Sequence, residues 1–325
     1  MRAVRVIGFE GPAGVVCRNV DEPEPGPDDV VVEVRAAGVA FPDVLHSRGA
    51  YQERHEPPFT LGGECAGVVR SAPASAPHRP GDRVAVLLPI GAFAEVVAVP
   101  AHLVLPLPDA VGFDQGACLP INYLTAHFAL GERGGLRAGE TVLVHGAAGG
   151  VGTATVQLAA ALGARVVAVT STPEKAALAR EVGAHDVVDA ATFRAEVADL
   201  TGGVGVDVVV DPVGGDRFTD SLRCLRHRGG RLLVVGFTAG DIPTVKVNRL
   251  LLTNTDVRGV GWARPGFGEP GFVAAQWEDL LPHLRSGALA PPVSGTYPFA
   301  RAAEALVAVD ERRVLGKVVL HPDEN

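Results

Sequence analysis

Apolar positions recur along this chain in two rhythms. Over the first third they form short β-branched runs broken by Gly and Pro: MRAVRVIG from residue 1, VVVEVRAAGV from 30, CAGVVRSA from 65, DRVAVLL from 82 and FAEVVAVPA from 93. Such runs predict strands, with PASAPHRPGD (73–82) a loop. The spacing turns helical across DAVGFDQGACLPINYLTAHFAL, from 109. From 140 the chain alternates: ETVLVHG, RVVAVT, HDVVD, VDVVVDPVG and RLLVVGF predict strands, and the segments joining them carry helical spacing. Their continuous Val and Leu runs suit strands covered on both faces. Regular alternation of this kind implies α/β architecture with a doubly wound parallel sheet. The tail adds two helical runs, FVAAQWEDLLPHLRSG and FARAAEALVAVDE, and a closing strand, GKVVLHP.

Composition narrows the function classes. The 325 residues suffice for two domains, and 47% of them are hydrophobic, enough for two cores. The net charge of −8 argues against nucleic acid or an anionic membrane as the main partner. The most apolar window, 151–170, is broken by Gln157 and Arg165 and reads as helix, turn and strand, so no membrane span is expected. The start MRAVRVIGFEGPAG reads as strand and turn, without the apolar core of a signal peptide. Cysteines at 17, 65, 118 and 224 make no CxxC pair. Their wide spacing fits a reducing compartment, and we expect a cytoplasmic protein.

Candidate chemistry centres on VLVHGAAGGVGTA (142–154). Strand VLVH leads into a small-residue loop that opens a helix, with the pattern A-x-G-x-x-G from Ala147 to Gly152. Small side chains let the backbone approach a pyrophosphate, and the helix N-terminus supplies free N–H groups and partial positive charge. The plain alternative is a tight turn with close helix–sheet packing, but the position at a strand-to-helix junction within a βαβ series favours a dinucleotide. At the end of the next strand stand Thr170, Ser171 and Thr172, with Lys175 following. An NAD site would place an acid there, about 20 residues beyond the glycines, for the ribose 2′-hydroxyl. Hydroxyls and a cation suit a 2′-phosphate, so NADPH is favoured over NADH. Lys175 alone also fits an ordinary solvated lysine.

Taken together, GVAFPDVLHSRGAYQ, LPINYLTAHFAL, HGAAGGVGTA, DPVGGDRF and the late GKVVL resemble the medium-chain dehydrogenase/reductase superfamily, and within it the zinc-independent quinone oxidoreductases. The resemblance spans nearly the whole chain. It implies a Rossmann NADPH-binding domain over 122–262 and a β-rich GroES-like catalytic domain over 1–121 and 263–325. Zinc-dependent members carry metal ligands at positions that here hold Ala40, Gly63 and Ile121, none of which can ligate, so no zinc is expected. Without that Lewis acid the chemistry shifts from alcohol oxidation to reduction of a quinone or an α,β-unsaturated carbonyl.

The resemblance also assigns roles. Ala148, Gly149, Gly150, Val151 and Gly152 face the pyrophosphate, while Thr170, Ser171 and Lys175 meet the 2′-phosphate end. Thr125, Gly236 and Phe237 lie by the nicotinamide. Lys317 matches a lysine that approaches the cofactor, or is an exposed surface lysine. Tyr51 matches a tyrosine beside the substrate carbonyl, where a phenol can donate a proton, or is a packed loop tyrosine. Asp43 reads as a helix N-cap or loop-ordering acid, Glu64 as structural, Cys65 as a buried small hydrophobe, and His46 and His55 as surface loop histidines. Relatives commonly carry Asn where Ala40 stands, which removes one polar contact to the nicotinamide ribose.

Three readings compete, a fourth, a zinc alcohol dehydrogenase, being disfavoured by the missing ligands. The first is an NADPH-dependent quinone or enone reductase, with one- or two-electron transfer to a quinone left open. The second is an enoyl-thioester reductase, which needs cations such as Arg48 and Arg54 near the substrate mouth. The third is a non-catalytic NADPH-binding protein, which would carry the same loop. The run NTDVRGVGW (254–262) reads as an edge strand, and relatives pair it with its copy, so a homodimer is expected, weakened by charge at Val257 or Val260.

Overall fold

The Val- and Leu-rich runs become strands that sort into sheets of opposite character. The computed structural model describes residues 1–269 and 271–322. Pro270 and residues 323–325, all within the span 263–325, therefore lie outside the described residues. The chain divides into two units, Met1–Asn122 with Gly266–Asn325, and Tyr123–Pro265.

The first unit opens with β1 (Arg2–Val6), β2 (Val16–Asn19), β3 (Asp29–Val39), α1 (Phe41–Ser47), β4 (Phe59–Thr60), β5 (Glu64–Ser71), β6 (Arg83–Leu87), β7 (Val96–Pro100), β8 (Val104–Pro106) and α2 (Phe113–Gly116). Helix α3 (Pro120–Phe128) follows. The second unit holds β9 (Thr141–Val144), α4 (Gly150–Ala161), β10 (Arg165–Thr170), α5 (Pro173–Glu181), β11 (Asp186–Asp189), α6 (Phe193–Leu200), β12 (Val208–Asp211), α7 (Phe218–Arg223), β13 (Arg231–Val234), α8 (Asn248–Thr253) and β14 (Asp256–Gly259). After α9 (Ala263–Gly268), the chain closes with α10 (Phe272–Arg285), β15 (Val293–Pro298), α11 (Ala302–Asp310) and β16 (Lys317–His321).

In the first unit, β2-β1-β4 form one small sheet, and β15-β16-β3-β5-β6-β8 form the larger one with β7 also on β3. Apart from the parallel β15–β16 pair, these pairings are antiparallel. Strand β3 is the hub, and its last four residues are buried continuously because β16 and β5 cover its edges. Gly38 lies there because a Cβ would stand 2.1 Å from the carbonyl oxygen of Ala117. Helix α10 packs Trp277 inward, with its indole N–H donating to the Pro106 carbonyl at 2.9 Å.

The second unit has one six-stranded sheet, ordered β11-β10-β9-β12-β13-β14, with every pair parallel. Numbered within this sheet the order is 3-2-1-4-5-6, so the direction of winding reverses between β9 and β12. Leu143, Val167, Val209 and Leu232 are fully buried on its strands. Helix α4 is buried continuously from Gly152 to Ala159, which its Ala- and Thr-rich sequence permits. Both edges of this sheet, β11 and β14, are uncovered by another strand.

Three elements escape the apolar rhythm. Helix α1 is only seven residues long and starts with Pro42 in its first turn. Strand β15 reads VSGTYP and is held by parallel pairing to β16, not by its own apolar pattern. Helix α8 ends at Asn254, whose φ of 51° closes it with a left-handed residue.

Candidate functional site

The glycine loop sits at the reversal point of the parallel sheet. Strand β9 ends at Val144, and the chain turns through Gly146, whose φ is 58°. Gly149 is the N-cap of α4 in an extended conformation, with no side chain capping the helix. The next helical bond is Thr153 N–H to Gly149 O, at 2.8 Å. The N–H groups of Gly150, Val151 and Gly152 thus lack intrahelical partners, as the first turn of any helix does. Gly152 has to be glycine: a Cβ would stand 2.1 Å from Gly146 O and 2.7 Å from the Ala147 Cα. Ala147 and Ala148 are buried beneath the loop. An anion drawn to this helix end therefore meets backbone only, and a dinucleotide pyrophosphate fits the cradle.

A buried brace behind the loop is not apparent from the sequence. His145, which links β9 to the loop, is 1% exposed and shares a 2.8 Å hydrogen bond between Nε2 and Ser221 Oγ. Burial pushes the imidazole below its ordinary pKa, with nearby Asp211 opposing the shift. Asp211 in turn accepts the N–H groups of Val213 and Gly214 at 2.8 and 2.9 Å. The residue types match a nucleophilic triad, but Ser221 is fully buried. The arrangement ties β9, β12 and α7 together; it offers no nucleophile. The signal available in sequence is a polar residue ending two apolar strands, His145 and Asp211; nothing in the segment FTDSLR marks Ser221.

The other residues predicted for the cofactor in this unit also stand at carboxyl ends of the parallel strands. Thr170 ends β10 and is buried, Ser171 is exposed, and Lys175 is half-buried in the first turn of α5. Thr172 is the N-cap of α5 and accepts the Lys175 N–H at 3.3 Å. The Lys175 ammonium itself makes no ion pair among the described residues. Gly236 and Phe237 follow β13, and Phe237 is 37% exposed. Thr125 lies on α3, half-buried.

The first unit brings together the remaining candidates, in a different way from the sequence expectation. Lys317 is 4% exposed, and its ammonium donates to Glu64 Oε1 at 2.7 Å, so it is not a surface lysine. Glu64 Oε2 accepts the Ile121 N–H at 2.8 Å, one of the unpaired donors at the start of α3. Asp43 is 2% exposed and sits in the first turn of α1, three residues beyond the N-cap, not at the cap itself. Its carboxylate accepts the Ala40 N–H at 2.8 Å. Burial raises its pKa to about 7, against the opposing pull of the Ala40 N–H and Lys317. Burial likewise raises Glu64, while for Lys317 the pull of burial downward is outweighed by Glu64, Cys118 and Asp43 together, which hold it above its ordinary value. Ala40, Gly63 and Ile121 adjoin this cluster, and a Cβ on Gly63 would press the Ile121 side chain at 2.9 Å. Among the described residues no group of three or more His, Cys, Asp and Glu side chains is placed to hold a metal ion.

Tyr51 follows α1 in a loop and lies 4.3 Å, centroid to centroid, from the His46 ring. His46 is 5% exposed on α1, which corrects the expectation of a surface loop histidine. Burial and neighbouring His55 push it down to about 4, so it is neutral at pH 7. Burial also raises the Tyr51 phenol above its ordinary pKa, helped by Glu53 and Asp43. Arg48 is held by Asp310 through two hydrogen bonds of 2.9 and 2.6 Å. No disulfide joins the four cysteines; Cys65 and Cys118 are buried, and burial drives their thiols well above the ordinary range.

Comparison with known proteins agrees with this architecture. Residues 26–109 match the alcohol dehydrogenase GroES-like domain family, and residues 150–284 match the family described as zinc-binding dehydrogenase. The chain is 36% identical to quinone oxidoreductase-like protein 2 of Bos taurus over 298 residues, covering 90% of this chain and 85% of that protein. It is 33% identical to a 2-haloacrylate reductase of a Burkholderia species, covering 96% of each. The quinone oxidoreductase of Thermus thermophilus, solved also in complex with NADPH, superposes with a TM-score of 0.86 at 37% identity, covering 99% of this chain and all of that one. The chain belongs to the zinc-independent quinone oxidoreductase branch of the medium-chain dehydrogenase/reductase superfamily.

Proposed function

We propose that this protein is an NADPH-dependent reductase that delivers hydride to a quinone or an α,β-unsaturated carbonyl without a metal. The observation that carries the reading is the uncapped, side-chain-free start of α4 at the sheet's reversal point, with hydroxyls and a free cation where an NAD site needs an acid. NADPH, when bound, supplies the hydride; the protein supplies position and a proton. The N–H groups of Gly150, Val151 and Gly152, over Ala148 and Gly149, hold the pyrophosphate. Ser171 and the Lys175 ammonium take the 2′-phosphate, with Thr170 behind them. Thr125 and the Gly236–Phe237 backbone orient the nicotinamide. Tyr51, protonated at neutral pH, gives its phenolic proton to the acceptor as negative charge develops on the carbonyl oxygen. A conjugated carbonyl makes the receiving carbon electrophilic, so hydride addition needs no Lewis acid.

The quinone and enone readings are preferred over an enoyl thioester because Arg48, one of two cations such a substrate would use, is already held by Asp310. The relatives that are named for quinones and for 2-haloacrylate support the same acceptor chemistry. Lys317 acts through its pair with Glu64, inside the β-rich unit. The protein works as a homodimer in a reducing compartment. Its β14 edge is free, and the segment leading into it exposes Ile242, Val247, Leu251 and Leu252, each more than 70% exposed. An apolar patch beside an open strand edge is suited to its own copy.

The cofactor assignment is tested with Ser171→Asp and Lys175→Glu. An acid in place of the 2′-phosphate contacts should cost NADPH about 10- to 100-fold in kcat/KM, the worth of one charge-assisted hydrogen bond. NADH should gain relative to NADPH in both variants. Unchanged NADPH kinetics in both would refute the assignment.

A further inference from the structure

We infer that His46 is a positioning residue for Tyr51: its buried ring is the platform that holds the phenol in place for proton donation. This rests on the role proposed above for Tyr51.

The chain from α1 to Tyr51 is pinned on the backbone side. Arg48 N–H and Ala50 N–H both donate to Leu45 O, at 3.1 and 2.9 Å, and Gly49 N–H donates to His46 O at 3.0 Å. Gly49 has a φ of 63°, the left-handed turn that lets the helix end there. The Arg48–Asp310 clamp fixes the same segment from its side chain. This tether stops one residue short of Tyr51. Beyond it, the tyrosine ring rests against the His46 ring, and among the described residues its hydroxyl has no hydrogen-bond partner. That leaves the hydroxyl open to a ligand and makes the ring contact a positional constraint on it.

The platform is itself part of a ladder. The His46 ring lies 5.6 Å from His55, and His55 lies 5.7 Å from Phe59, each pair tilted. Phe59 belongs to β4 and is 8% exposed, so the ladder runs from a sheet to the loop. His46 meets Tyr51 at a tilt of 44°, and among the described residues no hydrogen bond joins the two side chains. Its contribution is therefore shape and ring contact, not proton transfer. A ring buried among other rings and kept neutral also presents Tyr51 with no change of charge as pH moves through the neutral range.

The test compares His46→Phe, His46→Leu, Tyr51→Phe and the double variant His46→Leu/Tyr51→Phe in the full chain, with NADPH and one enone acceptor. Leu fills the volume without a ring, and Phe keeps the ring. Circular dichroism and thermal melting establish that each is folded. Loss of alignment should lower kcat by about 10- to 100-fold in His46→Leu, with the KM for NADPH unchanged. His46→Phe should retain kcat within about threefold and keep the wild-type pH profile between about pH 6 and 9, since the native platform is uncharged there. In the Tyr51→Phe background, His46→Leu should cost nothing further. An equal loss in that background, or a folded His46→Phe as impaired as His46→Leu, overturns the inference. So does full activity of His46→Leu beside an impaired Tyr51→Phe, a result that leaves the Tyr51 assignment standing. Full activity of Tyr51→Phe removes the Tyr51 assignment itself, and the positioning role falls with it.

Discussion

Lys317 shows how a single position gains its meaning from packing. Its ammonium and the Glu64 carboxylate are both sealed from solvent, at 4% and 0% side-chain exposure, so each is the other's compensation. Removing one partner leaves an uncompensated buried charge, which costs about 3–5 kcal/mol, whereas removing both costs less. Lys317→Met should therefore lower the melting temperature sharply, and Glu64→Gln with Lys317→Met should recover part of the loss. Equal or additive losses in single and double variants, measured by thermal denaturation, would contradict the pairing. Sequence offers only a lysine before an apolar strand, because the partner is 253 positions away. By contrast, the glycine loop is legible in residues alone. Its requirement is local, since the contact that excludes a Cβ at Gly152 comes from Gly146 and Ala147. Tyr51 falls between these cases: its type is readable, but the ring beneath it reads in sequence as a surface histidine.

At the scale of elements, the α1 segment carries a pH dependence. The Asp43 carboxyl in α1 is faced by Lys317 from β16 and Glu64 from β5, and by the N–H groups of Ala40 and Gly62. In the unfolded chain it ionises at about pH 4, but in the fold it keeps its proton to about 7. The native state then holds the extra proton between those values, so this stabilisation is full at low pH and is lost as pH rises through 7. His46 acts with the opposite sign: its folded pKa of about 4 gives stability that is lost as pH falls. The melting temperature of wild type relative to Asp43→Asn should fall between about pH 5 and 8. A constant difference would place the proton elsewhere. The edge of the parallel sheet gives a second test. Val257 packs on the core and Val260 is 7% exposed, so a charge at either would disturb the core of this unit as well as any association. Leu251→Glu with Leu252→Glu touches solvent-facing positions, and should convert a dimer to a monomer in sedimentation without lowering the monomer's melting temperature by more than a few degrees. A dimer surviving both substitutions would rule out this face. The βαβ series is legible because each strand is apolar along its length, whereas β15 and α1 are not, because pairing and a proline turn define them.

For the molecule as a whole, the parallel sheet with its glycine loop and the β-rich unit with its buried ion pair define one kind of chemistry. In the proposed function the loop's backbone receives a phosphate-bearing cofactor, and the reaction proceeds without a metal at the positions of Ala40, Gly63 and Ile121. The account therefore turns on whether hydride transfer occurs in metal-stripped protein. The measurement is NADPH oxidation after exhaustive chelation, with a quinone and an enone in parallel and NADH as control. The account predicts turnover undiminished by chelation and unimproved by added zinc, with NADPH preferred over NADH. Activity that vanishes on chelation and returns with zinc, or a strong preference for NADH, would contradict it.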